Sequence, residues 1–155
     1  MIFDVNIANS TKIYTIWVIM LRLILQSVEI SDNNGQHQAI VTLQNGENQL
    51  VGTATLLPDK DEFIIVAEAT LAAVRQALPP NINLDLDKAA PIQHDSIDKD
   101  LLVVTIDYDS NGKSVQLTGT CLSNNEQATH NIAKATLDAT NRLVAYISET
   151  EGREL

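Results

Sequence analysis

The sequence predicts an α+β fold in which one β-β-β-α unit is written twice, giving antiparallel sheets covered by two helices about a pseudo-two-fold axis. Three observations predict it. First, "AEATLAAVRQAL" (Ala67–Leu78) and "AKATLDATNRLV" (Ala133–Val144) match at Ala67/Ala133, Ala69/Ala135, Thr70/Thr136, Leu71/Leu137 and Ala73/Ala139. Second, the match runs upstream in the same order: Val41-Thr42-Leu43 answers Val104-Thr105-Ile106, and Leu50-Val51-Gly52-Thr53-Ala54 answers Leu117-Thr118-Gly119-Thr120-Cys121. Third, both upstream stretches are short, β-branched and apolar, whereas both downstream stretches repeat apolar residues every three or four positions. Self-similarity of this kind has to be recognised before single elements are assigned.

The N-terminal stretch is the least regular. Ile13–Leu25, "IYTIWVIMLRLIL", is the most hydrophobic run, but Arg22 interrupts its thirteen residues, and a spanning helix needs about 20. Asp4 stands against Lys12, and no A-x-A pattern follows, so the run does not read as a secretory signal. It reads as strand-like. Met20 immediately precedes "LRLILQSVEI", so residues 1–20 are expected to form an extension outside the fold.

From there the elements follow in order. Leu21–Ile30 is the leading strand of copy one, ending at the turn "SDNNGQ". "AIVTL" and "QLVGTATL" are joined at Asn45-Gly46, where both residues tolerate the positive φ of a tight hairpin. The mid-strand Gly52 marks a bulge or a close backbone approach. Glu62–Leu78 is a helix with Ile64, Ala67, Leu71, Val74 and Leu78 on one face, and Pro79-Pro80 ends it. Copy two repeats the scheme. Ile82–Ala90 is its leading strand and "PIQHDSIDKD" a loop. "LLVVTI" and "VQLTGTCL" meet at Asn111-Gly112, with a longer hairpin loop than in copy one. Its helix runs from about Glu126 to Ile147, with Ile132, Thr136, Ala139, Leu143 and Tyr146 on one face. The expected organisation is one domain over 21–148, with repeats 21–80 and 82–147, and a frayed tail over 149–155. Three strands present an apolar face that one helix cannot cover, which is the structural reason for duplication. The alanines of both helices leave room for a sheet or a second helix to approach closely.

Composition narrows function by exclusion. The 155 residues are 45% hydrophobic, with a net charge of −10 and a pI near 4.5. An acidic surface without a basic stripe repels phosphate backbones, so nucleic acid is not an expected partner and a membrane surface is an unlikely one. The single Cys121 rules out an intrachain disulfide; its setting, "TGTCLSN", reads as a strand end holding a small buried residue. Such usage fits a reducing cytoplasm.

No motif carries catalytic chemistry. "DYDSNG" (Asp107–Gly112) opens like a calcium loop, but the twelfth position, where a bidentate Glu is needed, is Thr118, and the flanks are strands. It reads as a hairpin turn. Asp85, Asp87, Asp95, Asp98, Asp100, Asp107 and Asp109, against Lys88 and Lys99, read as a solvated strand edge that discourages sheet pairing. His37, His94 and His130 fall in a turn, a loop and a helix start without metal-ligand spacing. Phosphate-cradling glycine loops are absent. No catalytic, cofactor-binding or metal residues are assigned, no cofactor is implied, and the chain is not expected to be an enzyme.

The order β-β-β-α twice, with the hairpin, the strand glycine and the alanine-rich helix ("VTLQNGENQLVGTA…AEATLAAVRQAL"), resembles the C-terminal regulatory domain of 2-isopropylmalate synthase and its relatives. The stretch "ATLDATNRLV" is similar to the closing A-x-x-x-A-x-N-R helix of that group, and the likeness covers roughly 21–147. The resemblance implies a non-catalytic module that self-associates as a dimer and holds a small-molecule effector between its repeats. The barrel that carries synthase chemistry has no counterpart here, so that activity is not implied. Double-stranded RNA-binding domains share the β-β-β-α order, but "PDKDEF" stands where their lysine-rich helix start grips phosphate. A protein-interaction subunit without any small ligand is the alternative expectation.

Overall fold

The computed structural model describes residues 22–55, 57–123 and 127–154; the expected extension over 1–20 lies outside them. Among the described residues six strands and two helices follow in the expected order: β1 (Ile24–Asn33), β2 (Gln36–Asn45), β3 (Asn48–Thr55), α1 (Glu62–Arg75), β4 (Asn83–Ile92), β5 (Asp100–Ser110), β6 (Lys113–Ser123) and α2 (Ala128–Glu154). The strands form two separate antiparallel sheets, β1-β2-β3 and β4-β5-β6. This is the duplicated α+β unit.

Both copies share one register down to its irregularity. Val41 pairs with Gly52, and Val104 with Gly119. The leading strand of each sheet carries a bulge at the same place, between Leu25 and Ser27 in β1 and between Leu86 and Lys88 in β4. The expected longer loop in copy two is instead a longer pair of strands. Asn45 pairs with Asn48 and Ser110 with Lys113, so both turns contain two residues. The extra residues add ladder pairs to β5 and β6, where each extra pair is hydrogen-bonded rather than left to solvent. The turn of copy one is therefore Gly46-Glu47, with Asn45 still in the strand. Asn34-Gly35 and Asn111-Gly112 have positive φ at both residues, the backbone that a two-residue hairpin turn needs to match strand twist.

Several boundaries differ from those read in sequence. β1 begins at Ile24 and continues to Asn33, and β4 continues to Ile92, because partners on the neighbouring strand extend the ladder through Ser31–Asn33 in β1 and through Pro91 and Ile92 in β4. α2 continues to Glu154 and takes in Gly152. α1 starts at the Asp61 N-cap, whose carboxylate accepts from the Phe63 N–H at 3.1 Å, satisfying one of the open donors of the first turn.

Each sheet packs one face on its own helix, and the helices pack on each other. Ala39, Val41 and Leu43 of β2 and Leu102, Val104 and Ile106 of β5 alternate inward and are buried, as a half-covered sheet requires. The closest approach is at the strand glycines. A Cβ on Gly52 would lie 2.0 Å from the Ala69 carbonyl oxygen and 2.4 Å from the Ala73 nitrogen. On Gly119 it would lie 1.9 Å from the Ala135 oxygen and 2.4 Å from the Ala139 nitrogen. The repeated alanines are thus the helix side of a backbone-to-backbone contact. Thr70 and Thr136, the matched polar residues, are fully buried and donate to the carbonyls of Val66 and Ile132 at 2.7 and 2.8 Å.

The single-face reading of the helices is too narrow. In α1, Ile65, Val66, Ala67, Ala69, Thr70, Leu71, Ala73 and Val74 are all buried, since the helix meets β2, β3, β4 and α2 together. In α2, Ile132, Thr136 and Ala139 are buried as expected, Leu143 is half-buried, and Tyr146 is 64% exposed. Ala133, Ala135, Leu137, Thr140, Val144 and Ile147 are buried residues the stripe omitted.

Candidate functional site

The register makes the two copies superimposable residue by residue, and the site is built at their seam. With the bulges aligned, Leu23 corresponds to Leu84. With the glycine contacts aligned, Asn141 corresponds to Arg75. These equivalent residues meet across the seam. The Asn141 side chain accepts from the Leu23 N–H at 3.2 Å and donates to the Leu23 carbonyl at 3.4 Å. The Arg75 guanidinium donates to the Leu84 carbonyl through Nε at 3.0 Å and also through Nη2. Each helix therefore ties down the leading strand of the other unit.

The outer strands are tied as well. Asp138 of α2 accepts from the Thr120 N–H of β6 at 3.0 Å, and Gln76 beside α1 donates to the Val51 carbonyl of β3 at 2.7 Å. All four edge strands of the two sheets thus carry a side-chain clasp, which blunts open edges against pairing with other chains.

β1 and β6 lie on either side of α2 without pairing, and between them is a groove of about 520 Å³. Lys134, Leu137, Asp138 and Asn141 form its floor as one helical stripe; Arg22, Leu23, Ile24, Leu25 and Thr120 line its walls. The chemistry is mixed: an aliphatic patch, two cations, one carboxylate already engaged with a backbone N–H, and a carboxamide engaged with Leu23. Lys134 also acts on His130 one turn earlier. The His130 pKa is lowered below the usual histidine value, first by burial and then by the Lys134 charge.

The residues weighed as candidates in the sequence do not converge. His37 is an exposed residue of β2 rather than of a turn, His94 lies in the loop after β4 against Ser96, and His130 is in the first turn of α2. No group of three or more His, Cys, Asp or Glu among the described residues could hold a metal ion. Asp107–Gly112 is the end of β5 followed by the two-residue Asn111-Gly112 turn to β6. Of the acidic tract, Asp85 and Asp87 are in the edge strand β4, while Asp107 and Asp109 are in the central strand β5. Asp87 accepts from Thr105 at 2.9 Å and from Gln116 at 3.1 Å. Cys121 is half-buried rather than buried, because its Sγ faces the Asn131 side chain at 3.7 Å near the helix start. Among the described residues no helix is long and apolar enough to cross a membrane. The groove residues Arg22, Lys134 and Asp138 had no signal in the sequence. Only Asn141, through the A-x-x-x-A-x-N-R likeness, stood in a recognisable pattern.

Fold and site together define a duplicated α+β unit with a groove between β1, β6 and α2. No family model matches the chain, and no curated protein matches it.

Proposed function

We propose that the chain is a non-enzymatic regulatory or assembly module that self-associates as a dimer and binds a small metabolite in the groove between its repeats. The observation that carries this reading is the groove itself. It lies where two units of one fold meet, so an occupant would touch both β1 of the first and α2 of the second. A ligand bound there would couple the units, and binding to the folded state alone raises stability in proportion to occupancy. The test is a thermal-shift screen of amino acids and small organic acids, with light scattering on the same samples. A specific rise in melting temperature and a two-chain mass are expected; a strict monomer would remove the dimer from the proposal.

A second reading, a protein-interaction subunit with no small ligand, has its own observation. On the outer face of the second sheet Ile92 and Leu122, 51% and 54% exposed, flank the half-buried Leu101 in one register row. Silence across the whole screen would favour this reading.

A further inference from the structure

Two copies of one sheet let each outward residue be compared with its counterpart, which separates what the fold requires from what one copy adds. The inward residues of both central strands are apolar. The outward ones differ. In the first sheet one outward row is Ser31, Gln38 and Thr55, and the next is Glu29, Ile40 and Thr53. In the second sheet the equivalent rows are Ile92, Leu101 and Leu122, then Ala90, Val103 and Thr120. Polar residues therefore satisfy this face of the fold, yet copy two carries five apolar side chains there as one contiguous corner. Ile92 and Leu122 are more than half exposed, Ala90 is exposed, and Leu101 and Val103 are half-buried. Scattered apolar residues on a surface need no explanation, but a contiguous patch calls for an occupant.

The chain brings an apolar stretch to this place. Arg22, the first described residue, lines the same groove as Thr120. Leu122 lies two residues farther along β6 on the same outward face, about 7 Å away. The chain ahead of Arg22 thus starts one groove's width from the patch. That stretch includes Ile13–Met20, "IYTIWVIM", eight residues without a charge. Eight residues reach at most about 29 Å, and a row across the three strands of the sheet is only about 10 Å wide. Laying one apolar surface on the other removes both from water.

We infer that Ile13–Met20 covers the apolar corner of the second sheet within the same chain, with Trp17 held out of water against Ile92, Leu101 and Leu122. This face is the one on which the interaction-subunit reading rests, and its occupant here belongs to the chain itself. The groove and its ligand are not involved, so either result leaves that reading where it stands.

Trp17 is the sole tryptophan, so its fluorescence in the full chain reads the contact directly. The parent is expected to emit to the blue of free tryptophan and to resist quenching by acrylamide. The triple variant Ile92→Ser, Leu101→Gln and Leu122→Thr gives the second sheet the residues that the first already carries at those places. It should move the emission to that of free tryptophan and remove the protection. Ile40→Thr, on the outer face of the first sheet, should change neither. In the reverse direction, Trp17→Ser should shift the backbone amides of Leu101 and Leu122 and leave those of Gln38 and Thr55 in place. That comparison decides the matter without any change to the sheet. Parent emission equal to free tryptophan, protection that survives the triple variant, or unshifted Leu101 and Leu122 amides in Trp17→Ser would each overturn the inference. Protection lost on dilution, together with a fall from a two-chain to a one-chain mass in light scattering, would also overturn it and make a second copy the occupant.

Discussion

Replacing Gly52 with alanine tests the central contact of the fold with a single methyl group. The backbone at Gly52 is not in the left-handed region, so the substitution is a question of space alone. The new Cβ would stand 2.0 Å from the Ala69 oxygen, whereas real Cβ contacts essentially never fall below 3.0 Å. α1 would have to retreat from β3 by about 1 Å, the difference between those distances. It cannot do so cheaply, since Val41 and Leu43 beneath it are fully buried, and a gap of that size forfeits a large share of their dispersion contacts. Trimming the partner does not help: Ala73→Gly removes a Cβ at 3.0 Å but leaves the backbone oxygen and nitrogen. The expected cost is about 3 kcal/mol, the upper end for overpacking, out of a total stability of about 5–15 kcal/mol. At about 2–4 °C per kcal/mol for a chain of this size, the melting temperature should fall by roughly 6–12 °C. Urea denaturation and calorimetry of Gly52→Ala and Gly119→Ala should give matching losses. Gly46→Ala is the control: nothing lies within 4 Å of its Cβ, and its φ of 61° costs a side chain about 1 kcal/mol. If Gly52→Ala stayed within about 0.5 kcal/mol of the parent, as ordinary surface changes do, the close-contact reasoning would be wrong.

Two further outcomes follow from the seam and from α2. Asn141→Leu removes both bonds to Leu23 and should cost about 1–2 kcal/mol, the scale for stranding a part-buried donor; hydrogen exchange at the Leu23 amide should accelerate more than exchange in β5. The His130 pKa is lowered by burial and by Lys134, so the unfolded chain binds this proton more readily than the folded one. Its contribution to stability is therefore full above the unfolded value near 6.5 and is lost as pH falls through it towards the folded value. Between neutral pH and about pH 5, below the usual histidine range, the parent should lose more thermal stability than His130→Gln; equal losses would remove His130 as a contributor.

The architecture was legible in the sequence because its signals are local or repeated. Val-Thr-Leu/Val-Thr-Ile, the strand glycines and the A-x-A-T-L-x-A helices each need only chain order to be recognised, and the structure places them in one register. What was not legible depends on which side chains meet across that register. The bonds from Gln49 to Gln26 at 2.7 Å and from Gln116 to Asp87 at 3.1 Å join both outer strands of each sheet through the bulge residue of the leading strand. The glutamine recurs at the equivalent place, but its partner changes from Gln26 to Asp87 and lies far away in the chain. The helix stripes misled for a related reason: a period of 3.6 identifies the face turned to one neighbour, and α1 has four. The groove was the least legible, because Arg22 just ahead of β1 and Lys134 and Asp138 on α2 acquire meaning only when β1 and α2 are brought together.

Duplication also changes how the matched residues should be read. Likeness between the copies marks what folding demands: Gly52 and Gly119 for close approach, Ala69 and Ala135 beneath them, Thr70 and Thr136 returning buried hydroxyls to their own helix. None of these is free to do chemistry, since each is buried and already bonded or packed. Unlikeness at equivalent places marks where the fold makes no demand, and the seams show it. Asn141 and Arg75 reach the same backbone carbonyl by different chemistry, and around that exchange the surrounding charges change sign, with Glu68 replaced by Lys134. Matched residues are accounted for by packing, whereas the exchanged ones keep the tie to the leading strand while changing in length and charge. The asymmetry between equivalent positions, rather than the repeat, is therefore the feature that points to function.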